Sequence, residues 1–237
     1  MLKLTNLTVG YGDILATHEI NFHAKEGRIS ALIGANGAGK SSTLMAIAGH
    51  VEVMSGSIEF KGQDITKMPI AKRVENGIAI SPEGRRLFPD LTIYENLTIG
   101  GYIRPKENEE KNREAVLELF PRLGERLYQQ AGNLSGGEQQ MLAIGRALMS
   151  EPEFLIIDEL SLGLMPKAVD LCYKAIARLK EKGMTVLLVE QSTSRVFDAA
   201  DDVCVLESGS VVWTGLVEEA KSNPAMIDTL MGFRESD

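Results

Sequence analysis

The chain has 237 residues, 44% hydrophobic and 24% charged, an ordinary globular composition that excludes wholesale disorder. At a soft prior of about 150 residues per domain it holds one or two units, either long enough to bury a sizeable core. Lys plus Arg number 25 against 33 Asp plus Glu, a net charge of −8, which gives no electrostatic footprint for DNA or RNA and argues against a nucleic-acid partner.

Leu2, Leu4 and Leu7 flank polar residues and predict a strand that ends at the Val9–Gly12 turn. Arg28–Ile33 is a compact apolar strand running into a glycine-rich turn, and residues 41–48 read as a helix closed by Gly49. Short strands follow at Ser57–Phe60 and Gly77–Ile80. From Leu87 to Met149 the texture becomes helical and polar, and the charge run Arg104–Arg113 is expected to be a solvated loop and helix start. Phe154–Ile157 and Thr185–Val189 are apolar strands around a helix starting near Lys167, in which Val169, Cys172, Ile176 and Leu179 share one face. Apolar strands alternating with amphipathic helices predict an α/β fold with a parallel sheet, interrupted by an inserted helical segment.

Three motifs carry chemistry. Gly34-Ala35-Asn36-Gly37-Ala38-Gly39-Lys40-Ser41 satisfies G-x-x-x-x-G-K-[ST] between a strand and a helix. Its glycines let the backbone wrap a phosphate chain at the positive end of a helix. Lys40 can reach the β- and γ-phosphates, and the Ser41 hydroxyl can ligate Mg²⁺. Phe154–Ile157 ends in Asp158-Glu159, an acid pair at the carboxyl end of a strand, where α/β sheets bind ligands. Asp158 would hold Mg²⁺, and Glu159 could take a proton from an attacking water. Leu134-Ser135-Gly136-Gly137-Glu138-Gln139, a string expected by chance in well under roughly one in ten thousand such chains, opens a helix. Ser135 at its N-cap and two glycines suit a second anion site. The Ser-x-x-Glu spacing equally suits a capping box with no ligand.

In that order, a phosphate loop, a Ser-Gly-Gly helix start and an acid-ended strand resemble the nucleotide-binding subunit of ATP-binding cassette (ABC) transporters. The resemblance covers nearly the whole chain. It implies a P-loop NTPase core with a mostly parallel sheet, an N-terminal antiparallel β subdomain and a helical subdomain. These would form one domain, with residues 1–86 and 150–237 as the core and 87–149 as the insertion. The cofactors implied are ATP and Mg²⁺. Residues 34–42, ending at Ser42, would hold ATP, Tyr11 would stack on adenine, and Leu134–Gln139 would cap the ATP of a second cassette. Pro82–Phe88, Ser161–Leu164 and Val189–Gln191 resemble the branch that energises uptake of branched-chain amino acids, whose relatives handle amides and urea. A LivF-type subunit is expected, coupled to two membrane permeases and served by a solute-binding protein. A groove near Glu83 to Tyr94 would receive a permease helix.

The chain departs from the usual family pattern at four positions. Glu83 stands where most members have a Gln that touches Mg²⁺ and the attacking water. Leu164 replaces an Asp, and Leu160 replaces a Pro, which frees φ and adds an N–H. Gln191 replaces the switch His, and an amide can donate to a phosphate but cannot carry a proton. These departures predict a modest, partner-dependent turnover resting on Lys40, Glu159, Glu83 and Gln191. They favour a heterodimer with a His-bearing cassette, a homodimer being possible. A regulatory cassette with weak turnover and an ABC ATPase uncoupled from transport are the alternatives.

No apolar run approaches the ~18–20 residues of a bilayer span, and residues 1–6 lack the apolar stretch of a secretory signal. The expected location is peripheral, on the cytoplasmic face of the membrane. Cys172 and Cys204 lie outside any Cys-x-x-Cys and are read as small buried hydrophobes in a reducing setting. His18, His23 and His50 show no zinc-ligand spacing and are read as surface or packing residues.

Overall fold

The computed structural model describes residues 1–191 and 193–223. The chain divides into two compact units, Met1–Arg73 with Thr185–Asp237, and Val74–Met184. The first unit opens with β1 (Leu2–Tyr11), β2 (Ile14–Leu15), β3 (Ile20–Ala24) and β4 (Ile29–Ile33). Then come α1 (Lys40–Ala48), β5 (Val53–Phe60), β6 (Gln63–Asp64) and α2 (Ile70–Glu75), whose last two residues belong to the second unit. β1 is the spine of an antiparallel sheet, pairing with β2, β3 and β5, while β5 pairs with β6. Leu2, Leu4 and Leu7 are buried as their spacing predicts. The strand runs on through the expected turn, because Gly10 and Tyr11 pair with Leu15 and Ile14. β5 likewise starts before its apolar end, since Ser55 and Ser57 find ladder partners in Thr8 and Thr5.

In the second unit β7 (Ile78–Ser81) precedes α3 (Ile93–Gly100), α4 (Glu109–Leu119), α5 (Pro121–Gly124) and α6 (Gly136–Leu148). β8 (Phe154–Asp158) and α7 (Pro166–Glu181) close it. β7 and β8 are parallel, with Ile78 opposite Phe154 and Ser81 opposite Ile157. On α7 the predicted face of Val169, Cys172, Ile176 and Leu179 is buried. Gly145 lets α6 approach α4 and α3 closely: a Cβ there would stand 2.7 Å from Val116 Cγ1 and 3.3 Å from Leu97 Cδ2.

One expectation for this unit needs correction. The 104–113 run does form a short 3-10 turn and the start of α4, but Arg113 is buried rather than solvated. Its guanidinium pairs with Glu109 at 2.9 Å and with Glu110, and lies 4.4 Å from the centre of the Tyr94 ring. A planar cation with carboxylates at its edge and an aromatic ring at its face tolerates burial.

The chain then returns to the first unit with β9 (Thr185–Glu190), α8 (Thr193–Ala199), β10 (Asp202–Glu207), β11 (Ser210–Leu216) and α9 (Val217–Ser222). β4 lies between β9 and β10, parallel to both, and β11 runs antiparallel to β10. Ala31, Ile33, Val203 and Val205 from the strands pack with Val196, Val217 and Ala220 from α8 and α9. Every residue of β4 is buried, as expected for a strand with parallel partners on both sides. Cys172 and Cys204 are both buried, and burial pushes each thiol up to about 12, so neither is a reactive thiolate at neutral pH.

Candidate functional site

In the first unit, β4 delivers the chain into the 34–39 turn and α1 takes it out. Gly34 is obligatory for space, because a Cβ would collide with the carbonyl oxygen of Leu206. Gly39 is obligatory for conformation: its φ is +96°, and a Cβ would lie 2.8 Å from the carbonyl oxygen of Ala16. Gly39 is also the N-cap of α1, which has no side-chain cap and no acidic residue in its first turn. The positive end of this helix is therefore not offset by its own side chains. The Lys40 side chain is buried, and its Nζ donates to the carbonyl oxygens of Gly34 at 2.9 Å and Ala35 at 3.1 Å. Ala35, Asn36, Gly37 and Ser41 are exposed, Ser42 is half-buried and Ala38 is buried.

Other residues of the same unit frame this loop. Ile33 pairs with Glu190, so Gln191 leaves β9 beside Gly34. Tyr11, on the β1–β2 hairpin, is 54% exposed, which leaves its ring face available. At the far end of α1, Arg73 donates Nη1 to the carbonyl oxygens of Ala46 at 2.7 Å and Ile47 at 2.8 Å, a cation at the negative end of the helix. Nothing in the local sequence marked Arg73.

The second unit holds the acid pair and the Leu134–Gln139 turn. β7 and β8 end together, with Ser81 opposite Ile157, so that Pro82-Glu83 and Asp158-Glu159 both stand at the carboxyl ends of these paired strands. Asp158 and Glu159 are buried, while Glu83 is exposed. Glu159 has a φ of +49°. Leu160 is fully buried, so the residue standing in the family's proline position is a core side chain. The following turn closes with Leu162 N–H on Glu159 O and Leu164 N–H on Ser161 O, both at 3.3 Å.

Ser135 is the N-cap of α6, and the capping box anticipated from its spacing is present. Its hydroxyl donates to Glu138 Oε2 at 2.8 Å and accepts from Glu138 N–H at 3.3 Å, while its own N–H donates to Oε2 at 3.0 Å. Burial works to raise the pKa of Glu138, but the hydrogen bonds from Ser135 and the charges of Arg126 and Arg122 outweigh it. The carboxyl sits below its usual value. A Cβ at Gly137 would stand 2.5 Å from Ala168 Cβ, so glycine lets α6 begin directly against α7. A Cβ at Gly136 would meet Arg85 and Leu164 at 3.3–3.5 Å. Arg85 Nη1 donates to Gln139 Oε1 at 3.0 Å. Sequence reasoning missed Arg85, and it missed Asn96, which is fully buried and donates Nδ2 to the carbonyl oxygens of Phe88 and Thr92.

A family model described as ABC transporter matches residues 17–161, more than half of the chain. The chain belongs to the ABC transporter family. It is an ABC-type ATPase with the α/β P-loop fold that its motifs implied. The high-affinity branched-chain amino acid transport ATP-binding protein BraG of Pseudomonas aeruginosa is 44% identical, over 98% of this chain and 100% of its own length. The probable branched-chain amino acid transport ATP-binding protein LivF of Archaeoglobus fulgidus is 35% identical, over 98% of this chain and 99% of its own. Among solved structures, the ADP conformation of MJ1267, an ATP-binding cassette of an ABC transporter, superposes with a TM-score of 0.87 at 26% identity, covering 98% of each chain.

Proposed function

We propose that this ATPase drives uptake of branched-chain amino acids, or of a closely related small solute, as one of a pair of cassettes under two membrane permeases. The observation that carries this is the full-length likeness to BraG at 44% identity. The Lys40, Asp158 and Glu159 set required for turnover is also intact. Residues 34–42 would wrap the triphosphate, with Lys40 turning its ammonium from the Gly34 and Ala35 carbonyls to the β- and γ-phosphates. Tyr11 would offer its ring to adenine.

Ser41, Asp158 and Glu83 are hard oxygen donors of the kind Mg²⁺ accepts, and Mg²⁺ needs only one or two of them beside phosphate oxygens. When bound, it neutralises charge that develops on the phosphates. Glu159 would accept the proton of the attacking water. Gln191 would donate an amide N–H toward the γ-phosphate without carrying a proton. Leu134–Gln139 would close over ATP held by the other cassette.

A heterodimer with a His-bearing cassette is the favoured pairing, because Gln191 leaves this copy without an imidazole. Gln191 also supports a second reading, a cassette whose turnover is weak and regulatory. Among the described residues no helix is long and apolar enough to cross a membrane, so attachment at the cytoplasmic face would come from the permeases. Exposed large side chains available for that contact include Phe88, Ile99, Tyr102 and Tyr128, with Tyr128 stacked on Tyr94 at 6.0 Å between ring centres.

Two measurements on the complex purified with its permeases and reconstituted in vesicles test these roles. The first is ATP-driven uptake of leucine, an amide and urea. Uptake of leucine that is lost with Glu159→Gln supports the amino-acid solute, uptake of only urea or amide narrows it to the related solutes, and uptake of none of the three overturns the assignment. Replacing Gln191 with His should raise turnover severalfold if this position limits it. Unchanged turnover would remove Gln191 from the catalytic set.

A further inference from the structure

The segment that follows Glu83 is strained and fastened to α6. Gly84, Arg85 and Arg86 take φ values of +70°, +65° and +48°, three successive residues in the left-handed region, two of which carry a Cβ that disfavours it. Such a turn persists only where its surroundings hold it. Here the holding groups come from one helix. Arg146 donates Nη1 to Arg86 O at 2.7 Å and Nη2 to Arg85 O at 3.1 Å, and its guanidinium lies 5.7 Å from the centre of the Phe88 ring. In the opposite direction, the Arg85 side chain reaches the first turn of α6. It donates to Gln139 Oε1 and lies against Gly136, where a Cβ would be 3.3 Å from Nη2. One arginine from each partner thus grips the other, at the start of the helix and near its end.

We propose that Arg85 is a positioning residue that locks the Glu83 turn to the Ser135–Gln139 turn, so that the two segments shift together rather than independently. This rests on the proposed function, because only there do both turns act on nucleotide. A forked donor suits the task, since Nη1 can hold Gln139 while Nη2 lies against Gly136. A flexible lysine, with a single nitrogen, could make the hydrogen bond but not both contacts. The lock matters for the catalytic step and not for the first binding of ATP, which falls to the 34–42 loop.

The test is a double-mutant cycle in the assembled transporter, with Arg85→Ala, Gln139→Ala and the pair, reading kcat and KM for ATP separately. Arg85→Lys and hydrogen exchange over residues 84–88 and 136–140 complete it. Expected are a fall in kcat of about five- to thirtyfold for each single variant with KM moved less than about twofold, and a double variant no worse than either single. Exchange should quicken in both segments together, and Arg85→Lys should recover part of the loss. Additive losses, an effect confined to KM, or faster exchange in one segment alone would overturn the lock. If Arg85→Ala folds poorly, Arg85→Met, which keeps the side-chain bulk but has no donor, carries the same cycle. Lys40→Ala run alongside separates the failures. If it abolishes turnover while Arg85 variants behave as wild type, only the lock is wrong, and if it is itself silent the proposed function falls.

Discussion

Two helices of this protein begin at a glycine-bearing motif, and they satisfy their first turns in different ways. α1 starts from Gly39 in the left-handed region, with no side-chain cap and no acid in its first turn. α6 starts from Ser135 inside a closed capping box, with the Glu138 carboxylate on both Ser135 N–H and Oγ. The dipole of α1 is thus available to an anion from outside, whereas that of α6 is already partly answered from within. For Ser135 to donate to a phosphate, its proton must leave Glu138. The difference fits the proposed division of labour, in which α1 would hold the nucleotide tightly and α6 would engage only when a phosphate offers a better bond than the one it replaces.

That contrast breaks most visibly in turnover. Replacing Lys40 with Ala removes the one ammonium of the α1 turn and is expected to lower steady-state phosphate release by about 10²-fold or more. Ser135→Ala should cost about tenfold or less, because backbone N–H groups of the α6 turn remain. Equal losses would erase the distinction. Glu159→Gln should lower release by about 10²- to 10⁴-fold while nucleotide affinity, measured by fluorescence titration, stays near wild type.

Smaller effects sharpen the contrast through stability. Gly137→Val forces a side chain against Ala168 and should destabilise by about 1–3 kcal/mol in urea unfolding. Gly37→Ala meets no atom within 4 Å but has a φ of +81°, so it should cost only about 1 kcal/mol of backbone strain. The smallest effect is that of the cap itself. Ser135→Ala should lose about 1 kcal/mol near neutral pH. Because Glu138 has a lowered pKa in the folded protein, its share of stability is present above the ordinary glutamate value. It is lost as pH falls through the folded one. The gap between wild type and Ser135→Ala should therefore close in acid, below about pH 4. A gap that stays constant to pH 3 would show that the carboxylate form contributes nothing.

The parts of the site legible in the sequence are those whose partners are near in the chain. Residues 34–41, 134–139 and 158–159 are contiguous, and each stands at a strand end or helix start that local patterning reveals. The strand β4 was visible because all five of its residues are apolar or small and all are buried. Arg85, Arg146, Arg73 and Asn96 were not visible. The three arginines bind across the chain, as with Arg146 and Arg85 at a separation of 61 residues, whereas Asn96 bonds to Phe88 and Thr92 within eight residues, where a polar residue in a short helix carries no mark of burial. Arg113 shows the same blindness. It stands in a run of charges that reads as solvated, and only the fold brings the Tyr94 ring beneath it.

The most direct test is ATP-dependent pairing of Glu159→Gln protein with its partner cassette, followed by sedimentation velocity, with and without Ser135→Arg. ATP should bring the Glu159→Gln cassettes together, and Ser135→Arg should abolish pairing while ATP affinity of the separate subunit remains within about twofold. Pairing that survives Ser135→Arg, or an affinity that collapses with it, would contradict a nucleotide gripped by α1 and closed over by α6 of a second cassette.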